Sequence, residues 1–285
     1  MVNVLVTGAN GQLANCIKDI GAFYPNLNLI YTDYLELDIC NIKQVKIFFK
    51  ENPPIHYCIN CAAYTAVDKA ETDVEKAFEI NSKGAKNLAI SCFVNNTVLI
   101  HVSTDFVFDG NKLDAYSETD TTNPISVYGN SKLKGEEEII KILNNFFIIR
   151  TSWLYSEHGS NFLKTMLKLS EERTSLKIVS DQFGTPTYAK DLAKVILNII
   201  NSKNNKFGIY HYSNEGETNW YEFAKTFFDF KNIKTTLKPI KTEAYPTPAK
   251  RPRFSVLDKT KIKNTFDIKI PYWEDSLKTA ISNLK

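Results

Sequence analysis

The chain has 285 residues, 43% of them hydrophobic and 24% charged, with a formal net charge of +3. These are the proportions of a folded globular protein that holds one large domain, or one plus a smaller lobe, around a full core. No run approaches the roughly 18 apolar residues that a bilayer span needs, and MVNVLVTGAN lacks the basic start and long apolar run of a secretory leader. A membrane partner is therefore not expected, and the expected compartment is the cytoplasm.

Short apolar runs alternate with longer helical patterns. VNVLVTG reads as a strand, and GQLANCIKDIGAF after it has helical spacing. LNLIYTD is a second strand, followed by the helical NIKQVKIFFKEN. HYCINCAA is a third strand, and DVEKAFEINSKGAKNLAISCFVN is helical. TVLIHVST is a fourth strand, and FFIIRTS a fifth after the helical ISVYGNSKLKGEEEIIKIL. Apolar strands alternating with helices predict an α/β fold of Rossmann type, a doubly wound parallel sheet with helices on both faces. Beyond about residue 155 the rhythm loosens. KDLAKVILNIINS is an amphipathic helix, KFGIYHYSN resembles a strand, and KPIKTEAYPTPAKRPRF reads as no core element. The expected organisation is a sheet domain over 1–150 to which 184–214 returns. Residues 151–183 and 215–285 then form a smaller C-terminal lobe over the strand ends, where open α/β sheets bind ligands.

Five cysteines stand at 16, 40, 58, 61 and 92. Cys58 and Cys61 make a C-x-x-C, but positions three apart on a strand point to opposite faces, and no second pair completes a metal site. Buried thiols are the expectation. The histidines, His56, His101, His158 and His211, form no ligand-spaced group. From Lys231 to Lys263 there are ten Lys/Arg against two acids, a local +8. Such a run is a solvated surface or a field that attracts an anionic ligand. No nucleic-acid motif accompanies it, so nucleic acid is not an expected partner.

Gly8, Gly11 and Ala14 form G-x-x-G-x-x-A between the first strand and the first helix. One Gly spares the tight turn a Cβ, another lets backbone N–H groups approach a pyrophosphate, and a small third residue lets the helix pack. The helix N-terminus faces the phosphate charge. After the first apolar strand of a βαβ pattern, this points to a dinucleotide. Asp33 ends the second strand, 22 residues past Gly11, where a carboxylate accepts from a ribose 2′-hydroxyl and favours NADH over NADPH. Asp38 is a second candidate, and a plain turn carboxylate is the alternative for Asp33.

Tyr128 and Lys132 sit at i and i+4 in VYGNSK, on one helical face. An ammonium nearby, with the oxidised nicotinamide's charge, is expected to lower the phenol's pKa so that it exchanges a proton with a carbonyl oxygen as hydride arrives. Ser103, Thr104 and Asp105 end the fourth strand, and Thr104 is placed to hold the same oxygen. The alternatives are a strand-end cap for Thr104 and a surface pair for Tyr128 and Lys132.

These residues resemble the extended short-chain dehydrogenase/reductase family, and within it the dTDP-sugar reductases. VTGANGQLA, NCAAYTAVDKAE, STDFVFDG, NPISVYGNSKLKGE, RTSWLY, NFLKTML, DQFGTPT and AYPTPAKRP run in order through nearly the whole chain. The resemblance implies NADPH- or NADH-dependent reduction of the 4-keto group of dTDP-4-dehydro-L-rhamnose. It further implies that Gly11, Gln12 and Leu13 contact the phosphates, Asp38 and Ile39 the adenine, and that Ala62, Ala63 and Tyr64 flank the cofactor. Lys132 would bind the nicotinamide ribose, and Tyr128 would donate the proton with Thr104 tuning it. Asn81 would support a proton path; its alternative is helix packing. Thr104, Asp105 and Trp153 would hold the sugar nucleotide, although Trp153 also reads as plain core. Arg251 and Arg253 are assigned to the substrate pyrophosphate through charge-assisted bonds.

The chain departs from the family at several points. Ala14 replaces a third glycine. Cys16 and Lys190 stand where some members carry metal-binding glutamates at a dimer interface, so no metal and a monomer or weak homodimer are expected. Phe106 stands where a dehydratase carries a glutamate, which argues against elimination. One alternative is another sugar-nucleotide reductase or epimerase of the same fold; a non-catalytic NADP-binding relative, similar to a regulatory subunit of methionine adenosyltransferase, is the other. Intact Thr104, Tyr128 and Lys132 argue for catalysis.

Overall fold

In the computed structural model, which describes residues 1–284, six parallel strands make one sheet. They are β1 (Val2–Thr7), β2 (Leu27–Thr32), β3 (Tyr57–Asn60), β4 (Val98–Thr104), β5 (Phe146–Thr151) and β6 (Gly208–His211). The spatial order is β6-β5-β4-β3-β1-β2, so the winding reverses between β1 and β3. Ligands of open α/β sheets sit outside the strand ends at such a reversal.

Side-chain alternation explains why these strands read as continuous apolar runs. Val4 and Val6 enter the core beneath α1 (Gln12–Gly21), whereas Leu5 enters the core on the opposite face. Phe147 and Ile149 on β5 follow the first face, Phe146 and Ile148 the second. Both faces are covered, so neither needs a polar row. α2 (Ile42–Glu51), α3 (Ala85–Val94) and α4 (Val127–Ile142) cover the second face. α5 (Ala189–Ser202) packs beside α1 on the first. Cys58 lies in one core and Cys61 against the other, as the strand period requires, and all five cysteines are free thiols.

The helical run after β3 is not uniform. Val74–Phe78 is α-helical, Glu79–Gly84 is a π segment, and α3 follows. The π segment carries Asn81, whose Oδ1 accepts from the Tyr64 N–H at 2.8 Å while Nδ2 donates to the Tyr64 carbonyl at 3.0 Å. A π-bulge at such a site is a common functional device.

A third apolar cluster forms the lobe. Leu163, Leu176, Phe223, Phe227 and Leu277 bury there, from helices Phe162–Glu172, Trp220–Phe230 and Trp273–Asn283 and strand Ser175–Val179. The lobe differs from expectation in two respects. Thr236–Ile240, overlapping the start of the Pro- and Lys-rich stretch, is a strand paired in parallel with Ser175–Val179. Its hydrogen bonds come from the pairing, while its mostly solvent-facing side chains hide the strand period. Residues Ile262, Phe266, Ile268 and Ile270 pack against the sheet's first-face core rather than within the lobe cluster. Among the described residues no helix is long and apolar enough to cross a membrane.

Candidate active site

The turn after β1 is a cradle shaped by the absence of side chains. Gly8 takes φ +67, and a Cβ there would fall 2.7 Å from the Ala62 nitrogen on the next strand's exit. The Gly11 N–H donates to the Gly8 carbonyl at 2.9 Å, and Gly11 caps α1. No side chain among the described residues caps α1, so its first N–H groups point into the turn for an anion. Asp33 braces this turn: Oδ2 accepts from the Asn10 N–H and Oδ1 from the Tyr34 N–H, each at 2.7 Å.

A cavity of about 630 Å³ opens over the cradle. Gly8, Gly11, Asp33, Asp38, Ile39, Ala62 and Ala63 all line it. Its size and its uncapped helix terminus fit a dinucleotide. Gln12, Leu13 and Tyr64 are placed differently. Leu13 points into the core, leaving its backbone to face the turn. Gln12 Oε1 accepts from Ser156 and Asn161, at 3.1 and 2.8 Å. The Tyr64 hydroxyl donates to Asp73 at 3.0 Å.

The second half of the site gathers at the end of β4. Thr104 caps the turn Asp105–Val107 beside the Tyr128 phenol, its Oγ1 accepting from the Phe106 N–H at 3.2 Å and donating to Asp105 Oδ1 at 3.1 Å. The strand-end cap and the phenol's neighbour are thus the same side chain. Asn81 Nδ2 donates to Ser131 Oγ at 2.9 Å, tying the π segment to the helix that carries Tyr128 and Lys132. Gly129 lets that helix close on the turn, since a Cβ there would collide with the Phe106 carbonyl oxygen.

The protein alone does not lower Tyr128; the nicotinamide's charge, the other half of the expectation, comes with the cofactor. Burial pushes the phenol up to about 12, Thr104 opposes this, and the Asp105 carboxylate adds to it. Lys132 instead lies beneath, fully buried, with Nζ donating to the Val102 carbonyl at 2.7 Å. Burial lowers Lys132 to about 8, against the charge of Glu136. Burial raises Asp105 to about 6, against the Thr104 hydroxyl that donates to its Oδ1 at 3.1 Å.

Trp153 holds a left-handed backbone, φ 46, and stacks on Trp220 with ring centroids 3.6 Å apart. Gly184 makes room for the ring: a Cβ there would lie 2.7 Å from it. Non-glycine residues hold such backbone only where their surroundings impose it, often at functional sites.

The two arginines separate. Arg251 forms a fork with Asp68, Nη1 to Oδ1 at 3.0 Å and Nη2 to Oδ2 at 2.7 Å, and Nη1 also donates to Thr247. Its bidentate edge already faces a carboxylate. Arg253 is mostly exposed, with only a loose contact to Glu243 at 3.2 Å. The basic run is likewise partly compensated, because Lys259 and Lys263 both pair with Glu215.

Sequence spacing gave no sign of one cluster. Cys16, Asp19 and His158 bring potential ligand atoms within 4.8 Å of one another. Lys190 already places an ammonium there, 2.6 Å from Glu157 and 3.4 Å from Asp19. Residues 139 apart meet only because α1 lies under the 156–161 loop.

Reversed parallel sheet, glycine cradle and Thr–Tyr–Lys group together define a nicotinamide-dinucleotide-dependent oxidoreductase of the short-chain type. The RmlD substrate binding domain family matches residues 2–285, and the chain belongs to it. It is 40% identical to a dTDP-4-dehydrorhamnose reductase of Aggregatibacter actinomycetemcomitans over 98% of both chains. The structure is similar to that of a dTDP-4-dehydrorhamnose reductase from Clostridium acetobutylicum, with TM-score 0.95, 42% identity and 99% of each chain covered. It is also similar to the enzyme from Bacillus anthracis solved in complex with NADP, with TM-score 0.94, 38% identity and 99% coverage of each.

Proposed function

We propose that this chain reduces the 4-keto group of dTDP-4-dehydro-L-rhamnose to give dTDP-L-rhamnose, using NADPH or NADH. The observation that carries the reading is the Tyr128 phenol beside Thr104 at the end of β4, with β3 between them and the glycine cradle at the sheet's reversal. Bound dinucleotide supplies the hydride to C4. Tyr128 gives its Oη proton to the ketone oxygen, and Thr104 orients the phenol and stabilises the charge it acquires. Asp105 and Trp153 line the approach of the sugar. Arg253, exposed and loosely paired, is the better partner for the pyrophosphate than Arg251.

In this reading 1–150 with 184–214 binds the dinucleotide, and 151–183 with most of 215–285 binds the sugar nucleotide. Gly11, Gln12 and Leu13 serve the phosphates, the first and third through backbone N–H. Asp33 sits where a ribose 2′-hydroxyl would donate, and its negative charge would oppose a 2′-phosphate, which favours NADH without closing the site to NADPH. The enzyme works in the cytoplasm as a monomer or weak homodimer.

The test is direct. NADPH and NADH are offered separately with dTDP-4-dehydro-L-rhamnose while dinucleotide absorbance is followed and the product is identified. Oxidation with formation of dTDP-L-rhamnose is expected. No oxidation of either dinucleotide would overturn the reading.

A further inference from the structure

Beneath the catalytic pair a buried polar chain crosses the sheet. Thr7 on β1, Asn60 on β3, His101 on β4 and Lys132 on α4 are each no more than 2% exposed. Asn60 Oδ1 accepts twice, from Thr7 Oγ1 at 2.7 Å and from the Ala62 N–H at 3.2 Å. Two donors on one oxygen fix which way the amide points. Asn60 Nδ2 therefore faces His101 Nδ1, 3.0 Å away, and donates to it. A nitrogen that accepts carries no hydrogen, so the neutral ring carries its own on Nε2.

Nε2 lies 3.3 Å from Lys132 Nζ. Burial and the Lys132 charge hold His101 well below the usual imidazole range, so the ring stays neutral. An N–H aimed at Nζ meets the two states of lysine differently. It opposes an ammonium hydrogen on that side and donates to the lone pair of the amine. Lys132's remaining contact, to the Val102 carbonyl, keeps Nζ in place in either state. The other titrating groups facing this pair are Glu136 on the next turn of α4, whose charge favours the ammonium, and Cys61 after β3, a thiol that burial keeps neutral. Arg150 from β5 pairs with Glu136 at 2.7 Å, and Asp105 faces Tyr128.

We propose that His101 is a positioning residue of the reduction: fixed by Asn60 with its hydrogen on Nε2, it steadies the amine form of Lys132 and so helps Lys132 surrender a proton to Tyr128. The proposal rests on the reductase reading above. Hydride goes to C4 and the Tyr128 proton to the ketone oxygen, leaving a tyrosinate. Lys132 returns a proton to that oxygen, its Nζ becomes an amine that accepts from His101 Nε2–H, and one proton per turnover is recovered from solvent.

Two measurements test it. Nitrogen NMR of the imidazole-labelled protein without cofactor reads the tautomer directly and needs no turnover, so it decides this point even if the substrate assignment fails. The Nε2–H form of His101 is expected from pH 6 to 9. An Nδ1–H ring or an imidazolium overturns the proposal. The second is the pH profile of kcat/KM, whose basic limb marks loss of the Lys132 proton. His101→Leu, which removes the N–H, should move that limb up by roughly 0.5–1 pH unit. His101→Gln, which offers an N–H again, should bring it back. An unmoved limb in His101→Leu, or equal shifts in both variants, sinks the idea. Should His101→Leu fail to fold, Asn60→Asp serves: its second oxygen can only accept, so the ring must carry its hydrogen on Nδ1 and the limb must rise. A limb that stays in place in Asn60→Asp is equally fatal.

Discussion

Tyr128 shows what burial does to a catalytic group before any partner arrives. A phenol pushed up to about 12 stays protonated across the neutral range, which is the loaded state for a group that must give a proton to a ketone. Tyr128→Phe should lower kcat by about 10²–10⁴-fold while the NADPH dissociation constant changes by less than about threefold, as read by single-turnover kinetics and fluorescence titration. Asp105 supplies a pH signature. Its carboxyl is raised to about 6 by burial, so the native state holds a proton that the unfolded chain has already released. Stability from this group is complete below the unfolded carboxylate range and is lost as pH rises from about 4 to 6. Asp105→Asn should therefore stabilise the fold by about 1–3 kcal/mol at pH 7.5, with the gain gone near pH 4. Denaturant melts at the two pH values check this, and an equal gain at both would refute it.

At the scale of elements, the site depends on how closely α4 closes on its neighbours. Gly129 and Gly135 both lie where a Cβ would strike a carbonyl oxygen, that of Phe106 in the turn after β4 and that of Asn81 in the π segment. These contacts fix the helix's rotation and hence the meeting of Tyr128 with Thr104. Gly129→Ala gains helix propensity yet must move the helix or the turn, an overpacking cost of about 1–3 kcal/mol. The expected result is a lower melting temperature and a kcat reduced about tenfold or more, with dinucleotide affinity nearly kept. A variant as active as the parent would show that this closure is not needed. The sequence displayed the Tyr–Lys spacing but not this closure, because a glycine in a helical pattern looks the same whether it faces solvent or a carbonyl.

For the whole molecule, the question is how the lobe is held over the sheet. The Asp68–Arg251 fork joins the helix Val67–Ala70, just after β3, to the loop near 247–251. Both side chains are partly exposed, so the pair contributes little to global stability, up to about 1 kcal/mol. Its use is placement. Asp68→Ala and Arg251→Ala should raise the KM for the sugar nucleotide alike and leave the KM for NADPH nearly unchanged. If only Arg251→Ala does so, Arg251 touches the substrate after all. The basic run from Lys231 to Lys263 could not be resolved by counting charges. Glu215, the acid that pairs with Lys259 and Lys263, lies outside the run and meets it only in the fold.

By itself the sequence determined the sheet, its helices and the dinucleotide turn. Each of these is written in short-range terms: side-chain alternation along a strand, helical spacing, and glycines at the end of β1. It also carried the Tyr128–Lys132 spacing and the Thr104 strand end. Only the tertiary structure decided the electrostatics. The state of Tyr128, the pairing of Arg251 with Asp68 and the direction of the Thr7–Asn60–His101–Lys132 chain all depend on partners from different elements. Desolvation and hydrogen-bond direction are properties of what surrounds a group, and no local pattern of residues records them.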